Sequence, residues 1–180
     1  ADPFRGRAAG DRAGSAAEEV PGPPDGLDQL WREVGAGVAY GVARHGSWWR
    51  WRYEARPGRA YRYFQARRAG RLAGAAVTTV REAFGARFAY VLELLAANRE
   101  AARTLTGALA GAAVEDGAVG AALVALPGSG LHELAGEAGF RLLPAVLEPK
   151  ALWFGVVPTG ATRDPGSLAW SLAWGDLDHI

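Results

Sequence analysis

The chain has 180 residues, of which 49% are hydrophobic and 22% charged, and its formal net charge at pH 7 is +1. This length suits one globular domain with a real core and is short for two. The near-zero net charge excludes a global field that would draw the protein to nucleic acid or to an anionic membrane. The absence of cysteine excludes disulfides, thiolate catalysis and cysteine-based zinc sites.

The first 26 residues are predicted to be a flexible linker or tail. They are rich in Ala, Gly, Pro, Arg and acids, show no apolar period and end in PGPPDG. The chain also contains no methionine, not even an initiator, which favours a piece of a longer protein. We therefore expect residues 27–180 to form one domain, the C-terminal part of a larger protein, with an upstream domain of the same protein as a partner.

Two helical stretches are predicted between the linker and Pro57. Apolar residues at spacings of three and four predict a helix over 27–34, with Asp25 as its cap. A short strand could occupy 38–43, and a tryptophan-rich helical turn is expected over 45–53. Pro57 then ends the helix, because proline disfavours helical geometry in the residue before it.

Three strands are predicted next, over 61–67, 72–81 and 87–95. The first alternates in side-chain character with a period of two, and Gly70 supplies a tight turn to the second. The second is rich in β-branched residues, which suit a pleated surface. The third is nearly continuous in apolar residues, as in a central strand that is covered on both faces.

The second half of the chain alternates between helices and strands. Asn98 is predicted to cap the first of these helices. The predicted elements are, in order, a helix over 99–114, a buried strand over 118–125, a short helix over 131–138, and strands over 140–143, 152–157 and 168–174. Strands first and then alternating helix and strand predict a mixed α/β domain.

Five short motifs resemble, in their order, the GNAT superfamily of N-acetyltransferases, and especially the divergent domains found in polysaccharide and cell-envelope loci. The motifs are WRY at 51–53 with Pro57 and Tyr61, RLAG at 71–74, LELL at 92–95, GEAGF at 136–140 and WSLAWGDLD at 170–178. The resemblance implies a GNAT-like fold, with a central, mostly antiparallel twisted sheet flanked by helices. It covers residues from about 45 to 178.

The same resemblance implies an acyltransferase that moves an acetyl group from acetyl-CoA to an amine or hydroxyl of a small molecule or saccharide. It implies that the cofactor lies against the end of the fourth family strand and the helix after it, at Leu95, Ala96, Asn98, Arg99 and Arg103. The family's glycine loop at this place, which holds the coenzyme A pyrophosphate, is here AANREAAR at 96–103, without glycine. The tyrosine that often serves as general acid near the last helix has no counterpart within 131–140.

Glu93 is the candidate catalytic residue. An acid inside an apolar strand costs several kcal/mol unless it is paired or faces a cleft. It could take a proton from the attacking amine or hydroxyl, because burial raises a carboxyl pKa toward a useful range. It could equally pair with an arginine of a neighbouring strand, such as Arg62 or Arg81.

Candidate substrate contacts lie at both ends of the domain. Asp176 and Asp178 would share one face of an extended segment and could orient a sugar hydroxyl, or they could be a frayed polar tail. Trp51 and Tyr53 belong to a cluster of aromatic residues and arginines that could stack on sugars or bases, or could be simply amphipathic. No metal site is predicted.

Two other functions remain open at this point. One is a non-catalytic GNAT-fold module that binds a partner or packs against an upstream domain. The other is a tRNA-dependent aminoacyl transferase, which needs no coenzyme A loop and would use the arginine–aromatic face. Nucleic acid other than tRNA is not expected as a partner. A cytoplasmic location is expected, and no apolar run approaches the ~18 residues of a membrane span.

Overall fold

The computed structural model describes residues 16–38, 40–83, 85–143 and 170–177. Seven strands and four α-helices are found among these residues. The strands are β1 Ala17–Val20, β2 Tyr40–Gly41, β3 Arg62–Arg68, β4 Arg71–Ala83, β5 Ala86–Ala96, β6 Gly120–Leu123 and β7 Trp170–Ser171. The helices are α1 Leu27–Val34, α2 Gly46–Trp49, α3 Arg99–Glu115 and α4 Gly130–Glu137, and α2 continues into a π-helical turn over Arg50–Glu54. Within the described ranges, no helix has the length and apolar character needed to cross a membrane.

The central sheet has five strands in the order β1-β3-β4-β5-β6. All of its pairings are antiparallel except that of β5 with β6, which is parallel. A separate parallel pair joins β2 to β7, with Tyr40 opposite Trp170. The predicted mixed α/β fold with a mostly antiparallel sheet is confirmed.

The β3–β4 hairpin shows how the local sequence sets this topology. Its two turn residues, Ala69 and Gly70, both have positive φ angles, of 50° and 78°. Such a turn matches the twist of the strands on either side and closes a tight hairpin. The predicted strands 61–67, 72–81 and 87–95 are confirmed with ends moved by one or two residues.

Each face of the sheet buries its own apolar cluster. On the face that α1 covers, which we call the α1 face, Leu30, Trp49 and Tyr53 pack against Val77 and Leu92 of the sheet. The other, the α3 face, packs Leu105 and Leu109 of α3 against β3, β4 and β5. The sheet is therefore covered on both sides, which explains the continuous apolar run of β5.

The prediction of a linker is wrong for residues 17–20, which form a strand. Residues 17–20 form β1, which pairs with β3 at the edge of the sheet. Its polar residues are held by side-chain bonds rather than by burial, since Arg62 Nε donates to Glu19 Oε1 at 2.9 Å and Gln65 Nε2 donates to Glu18 Oε1 at 2.5 Å. A four-residue strand with two acids at its centre shows no apolar period, so the sequence pattern gave no sign of it.

Several predicted boundaries also change. Asp25 does not cap α1, because Gly26 takes the cap position with φ at 98° and no side chain bonds the helix start. The predicted buried strand over 118–125 shortens to the partly exposed β6, and residues 140–143 form no regular element. The strand predicted over 152–157 lies outside the described residues.

Candidate active site

A β-bulge in β5 sets the direction of Glu93. Val77 of β4 lies opposite Glu93, whereas the next residue, Thr78, lies opposite Val91, so Leu92 is an extra residue in β5. Two residues of a bulge can face the same side of a sheet, which breaks the usual alternation. Leu92 packs in the α1-face cluster and Glu93 contacts Tyr53 of that cluster, while Val91 and Leu94 pack on the α3 face.

The bulge coincides with the place where β5 and β6 part. Their pairing runs from Phe88 opposite Gly120 to Val91 opposite Leu123, and β5 continues to Ala96. The last five residues of β5 thus have no β6 partner within the described part of the chain. Glu93 lies at the start of this parted stretch.

The Glu93 carboxylate is buried among polar groups, with 2% of the residue exposed. Arg44, from the loop before α2, donates from Nε to Glu93 Oε2 at 2.9 Å. The Tyr53 hydroxyl, from the π-helical turn, donates to Glu93 Oε1 at 3.1 Å. Arg44 is itself 4% exposed and also donates to Asp176 Oδ2 at 2.5 Å.

Residues 174–177, which we call the closing segment, cover this carboxylate. A Cβ on Gly175 would overlap both the Tyr53 hydroxyl and Glu93 Oε1, so only glycine fits there. Arg52 donates from Nε to the Gly175 carbonyl at 2.7 Å and from Nη2 to the Leu177 carbonyl at 2.6 Å. The closing segment is therefore bonded to the π-helical turn as well as to Arg44.

Burial dominates the protonation of this cluster. It raises the pKa of Glu93 to about 7, with the negative charge of Asp176 acting in the same direction, while Arg44 and the Tyr53 hydrogen bond oppose the change. Burial, with the nearby charge of Glu93, also raises the pKa of Tyr53 well above its ordinary value. Glu93 can thus gain and lose a proton near neutral pH, whereas Tyr53 stays protonated.

Comparison with known proteins gives matches among solved structures alone: no family model and no curated protein matches the chain. A variant of TTHA1254 from Thermus thermophilus is 25% identical, with a TM-score of 0.50, and the match covers 81% of this chain and 99% of that one. The aminoglycoside acetyltransferase meta-AAC0020, from an uncultured soil metagenomic sample, is 13% identical with a TM-score of 0.51, over 80% of this chain and 96% of that one. A Pyrococcus furiosus protein, provisionally assigned as an acetyl transferase, is 15% identical with a TM-score of 0.53, over 79% and 99%. The chain has a GNAT-type fold.

The GNAT-type fold brings three of the predicted site residues together. Tyr53 and Asp176 both lie at Glu93, one bonded to it directly and the other through Arg44. Trp51 has 67% of its surface exposed, and no contact between it and this cluster is found in the described part of the chain. Asp178 lies outside the described residues.

Glu93 pairs with an arginine, as one alternative predicted, but the partner is Arg44 and not the predicted Arg62 or Arg81. Arg62 instead binds three acids, Glu19, Glu115 and Asp116. Arg44 is 49 residues before Glu93 in a loop without periodicity. No local sequence signal could have joined the two residues.

The residues predicted to hold the cofactor lie at the end of β5 and the start of α3. Leu95 is buried in the α1-face cluster and Ala96 lies opposite Gly74. The Asn98 side chain caps α3 by accepting from the Ala101 amide at 3.0 Å. Arg99 forms an ion pair with Glu137 of α4, and Arg103 donates to the Glu137 carbonyl at 3.2 Å, so both arginines are bonded to α4.

Apart from Asp176, the closing segment and the residues that hold it are the part of the site that the sequence did not reveal. Gly175 is one of 25 glycines and nothing near it in sequence marks it as a contact of Glu93. Arg52 is part of the WRY motif, but its hydrogen bonds to the Gly175 and Leu177 carbonyls, more than 120 residues away, depend on the fold.

Three arginines of the proposed nucleic-acid face bind protein groups. Arg62 is held by acids, Arg67 donates to the Gln65 side chain and to the Gly70 and Asp25 carbonyls, and Arg68 lies 3.7 Å from Glu100. These contacts favour the alternative in which the cluster of aromatic residues and arginines is simply amphipathic, rather than a surface that stacks on sugars or bases. Among the described residues, no group of three or more His, Asp and Glu side chains could hold a metal ion.

Proposed function

We propose that the protein is an acyltransferase that moves an acetyl group from acetyl-CoA to an amine or hydroxyl of a small molecule or saccharide. The observation that carries this proposal is the position of Glu93. It lies where β5 parts from β6 in a GNAT-type fold, and its pKa is raised to about 7. A general base works best when its pKa lies near the working pH.

The donor side of the site fits a phosphate-bearing cofactor. The first amides of α3 precede any intrahelical bond, and the positive end of the helix favours anions. Arg99 and Arg103 lie at the same end, in exposed contacts with Glu137 that a phosphate can replace. Acetyl-CoA supplies an acetyl thioester: the acceptor bonds to its carbonyl carbon, and the C–S bond breaks with its electron pair passing to sulfur.

On the acceptor side, Glu93 takes the proton that the amine or hydroxyl loses. Tyr53 assists, because its hydroxyl can pass its own proton to Glu93 Oε1 and accept the acceptor's proton in exchange. Gly175 covers both groups, so an acceptor reaches them when the backbone at Gly175 shifts while Asp176 keeps its bond to Arg44. A saccharide suits this proposal as the acceptor, since structures of the neighbour meta-AAC0020 are complexes with sisomicin and with trehalose.

Acetyl transfer to a panel of amino sugars and polyamines, followed by release of free coenzyme A thiol, tests this function. We expect Glu93→Gln to lower kcat/KM by about a hundredfold or more, the usual contribution of a positioned base, while folding is retained. Glu133→Gln is the matched control, because Glu133 is exposed on α4 and away from the cluster. It should leave kcat/KM unchanged.

Full activity in Glu93→Gln would show that the base is a different group. An equal loss in both variants would show that the effect is unspecific.

A second candidate is a non-catalytic GNAT-fold module. The observation that favours it is the enclosure of Glu93, whose oxygens are both bonded within the protein. A thermal shift measured with acetyl-CoA distinguishes the two candidates, since a ligand that binds only the folded state raises the unfolding temperature. No shift, together with no transfer to any acceptor, favours the module.

A further inference from the structure

The two N–H groups along the Nε–Nη2 edge of Arg44 donate to two different carboxylates. The Nε–H and Nη2–H bonds of a guanidinium are parallel and commonly bind one carboxylate as a pair. Here Nε donates to Glu93 Oε2 at 2.9 Å, and Nη2 donates to Asp176 Oδ2 at 2.5 Å. The remaining nitrogen, Nη1, donates to the Val42 carbonyl at 3.1 Å. Each carboxylate thus receives one of the two bonds.

Asp176 is the residue that causes this division. Its side chain is 8% exposed, and its Oδ2 also accepts from the Ala173 amide at 2.9 Å. Its Oδ1 is buried and has no hydrogen-bond partner in the described part of the chain. The negative charge of Asp176 is therefore balanced mainly by Arg44, the same cation that serves Glu93.

The charged and titratable groups that face Glu93 come from three elements. Arg44 belongs to the loop before α2, Tyr53 to the π-helical turn and Asp176 to the closing segment. Arg52, one step further out, binds the carbonyls of the closing segment. Glu93 thus has one shared cation, one hydroxyl donor and one like charge around it.

We propose that Asp176 is a positioning residue for Glu93: by holding one arm of Arg44, it leaves Glu93 with a single charge-assisted bond and thereby able to accept a proton. This inference rests on the proposed acyl transfer, because it concerns the base of that reaction. The acceptor's proton goes to Glu93 as the new bond to the acetyl carbon forms and the C–S bond breaks. Arg44 and Asp176 keep their charges throughout.

The physical reason lies in how a neighbouring cation acts on a carboxylate. A carboxylate that binds a whole arginine edge is held in its charged form, with a pKa below its ordinary range, and takes protons poorly at neutral pH. Because Arg44 is shared and Asp176 adds a like charge, burial prevails at Glu93 instead. The closing segment therefore adjusts the base as well as covering it.

Asp176→Asn tests the inference, because asparagine keeps the shape and an accepting oxygen but removes the charge. The measurement is the titration of the Glu93 side-chain carboxyl carbon by ¹³C NMR, which needs no turnover. We expect the midpoint to move toward lower pH by about one pH unit, since Arg44 then serves Glu93 alone. The matched control is Asp116→Asn, which removes an acid from the separate Arg62 cluster and should leave the midpoint in place.

In a protein that transfers acetyl groups, the pH profile of kcat/KM should move with the NMR midpoint in Asp176→Asn alone. An unchanged or raised midpoint in Asp176→Asn, or an equal change in Asp116→Asn, would overturn the inference. A lowered midpoint in a protein that transfers no acetyl group would support the coupling through Arg44 and overturn the proposed function.

The native protein provides a second measurement if Asp176→Asn does not fold. A nearby change of charge moves the ¹³C signal of a carboxyl group, so the Asp176 signal should show a step at the midpoint of Glu93, because Arg44 is hydrogen-bonded to both residues. An Asp176 signal without such a step would contradict the inference.

Discussion

The Glu93 carboxylate is buried, and it shares its cationic partner, Arg44, with Asp176. Its strand position was predictable, since an acid in an apolar run is visible in the sequence. Its surroundings were not, because Arg44 and Asp176 approach it from 49 residues before and 83 residues after, through a loop and a segment without periodicity. Pairing of this kind depends on the fold and leaves no local pattern.

The raised pKa of Glu93 makes stability depend on pH. Its folded pKa is about 7, against an ordinary value of 4.5, so the folded protein binds this proton more tightly than the unfolded chain does. The stabilisation is therefore complete below about pH 4.5 and is lost as the pH rises through 7. We expect the free energy of unfolding to fall by about 3 kcal/mol more in the native protein than in Glu93→Gln over this window.

Urea denaturation of the two proteins at pH 5 and pH 8 measures this difference. Taking the difference between the two proteins removes the contribution of all other acidic residues to the pH dependence, because both proteins contain them. Equal pH dependence in the two proteins would mean that Glu93 is charged at both pH values.

At the scale of the elements, turn chemistry and periodicity predicted the hairpin strands β3, β4 and β5 well. The bulge at Leu92 was not predicted, because one extra residue in an apolar strand does not change its composition. It is nevertheless the feature that turns Glu93 to the α1 face. Likewise, β1 was missed because its polar residues are held by partners on β3.

The contact between β4 and α3 can be tested with two glycines. A Cβ on Gly74 would lie 2.8 Å from Leu105 Cδ1 and 3.1 Å from the Leu95 carbonyl, so Gly74→Ala should lower the free energy of unfolding by about 1–3 kcal/mol. Gly107 lies on the exposed side of α3 with nothing within 4 Å of such an atom. Gly107→Ala should instead stabilise the protein by about 0.5–1 kcal/mol, because alanine favours the helix.

Chemical denaturation of both variants gives the answer. If Gly74→Ala is as stable as the native protein, α3 does not lie as close to β4 as the structure shows.

At the scale of the whole molecule, the closing segment joins the two ends of the described chain. Arg44 and Arg52 lie near the start of the domain and bind residues near its end, while Trp174 packs edge-on against Tyr90 of β5 with ring centroids 5.6 Å apart. The WSLAWGDLD motif suggested that this region resembles the end of a family domain. That it covers Glu93 could be learned only from the assembled structure.

Gly175→Ala tests whether the closing segment is held in this position. The added methyl group overlaps Tyr53 and Glu93, so the segment has to move away, and we expect faster amide hydrogen exchange at residues 174–177. Gly37→Ala is the control, because a Cβ at Gly37 meets nothing within 4 Å. Unchanged exchange in Gly175→Ala would mean that the segment does not lie against Glu93 in solution.

The most direct test of the central claim, that Glu93 is the base of an acetyl transfer, is the pH dependence of kcat/KM with one acceptor. We expect kcat/KM to rise with pH through a single step with a midpoint near 7, as Glu93 loses its proton, and we expect Glu93→Gln to lack that step. A profile without a step between pH 6 and 8, or the same step in Glu93→Gln, would contradict the claim.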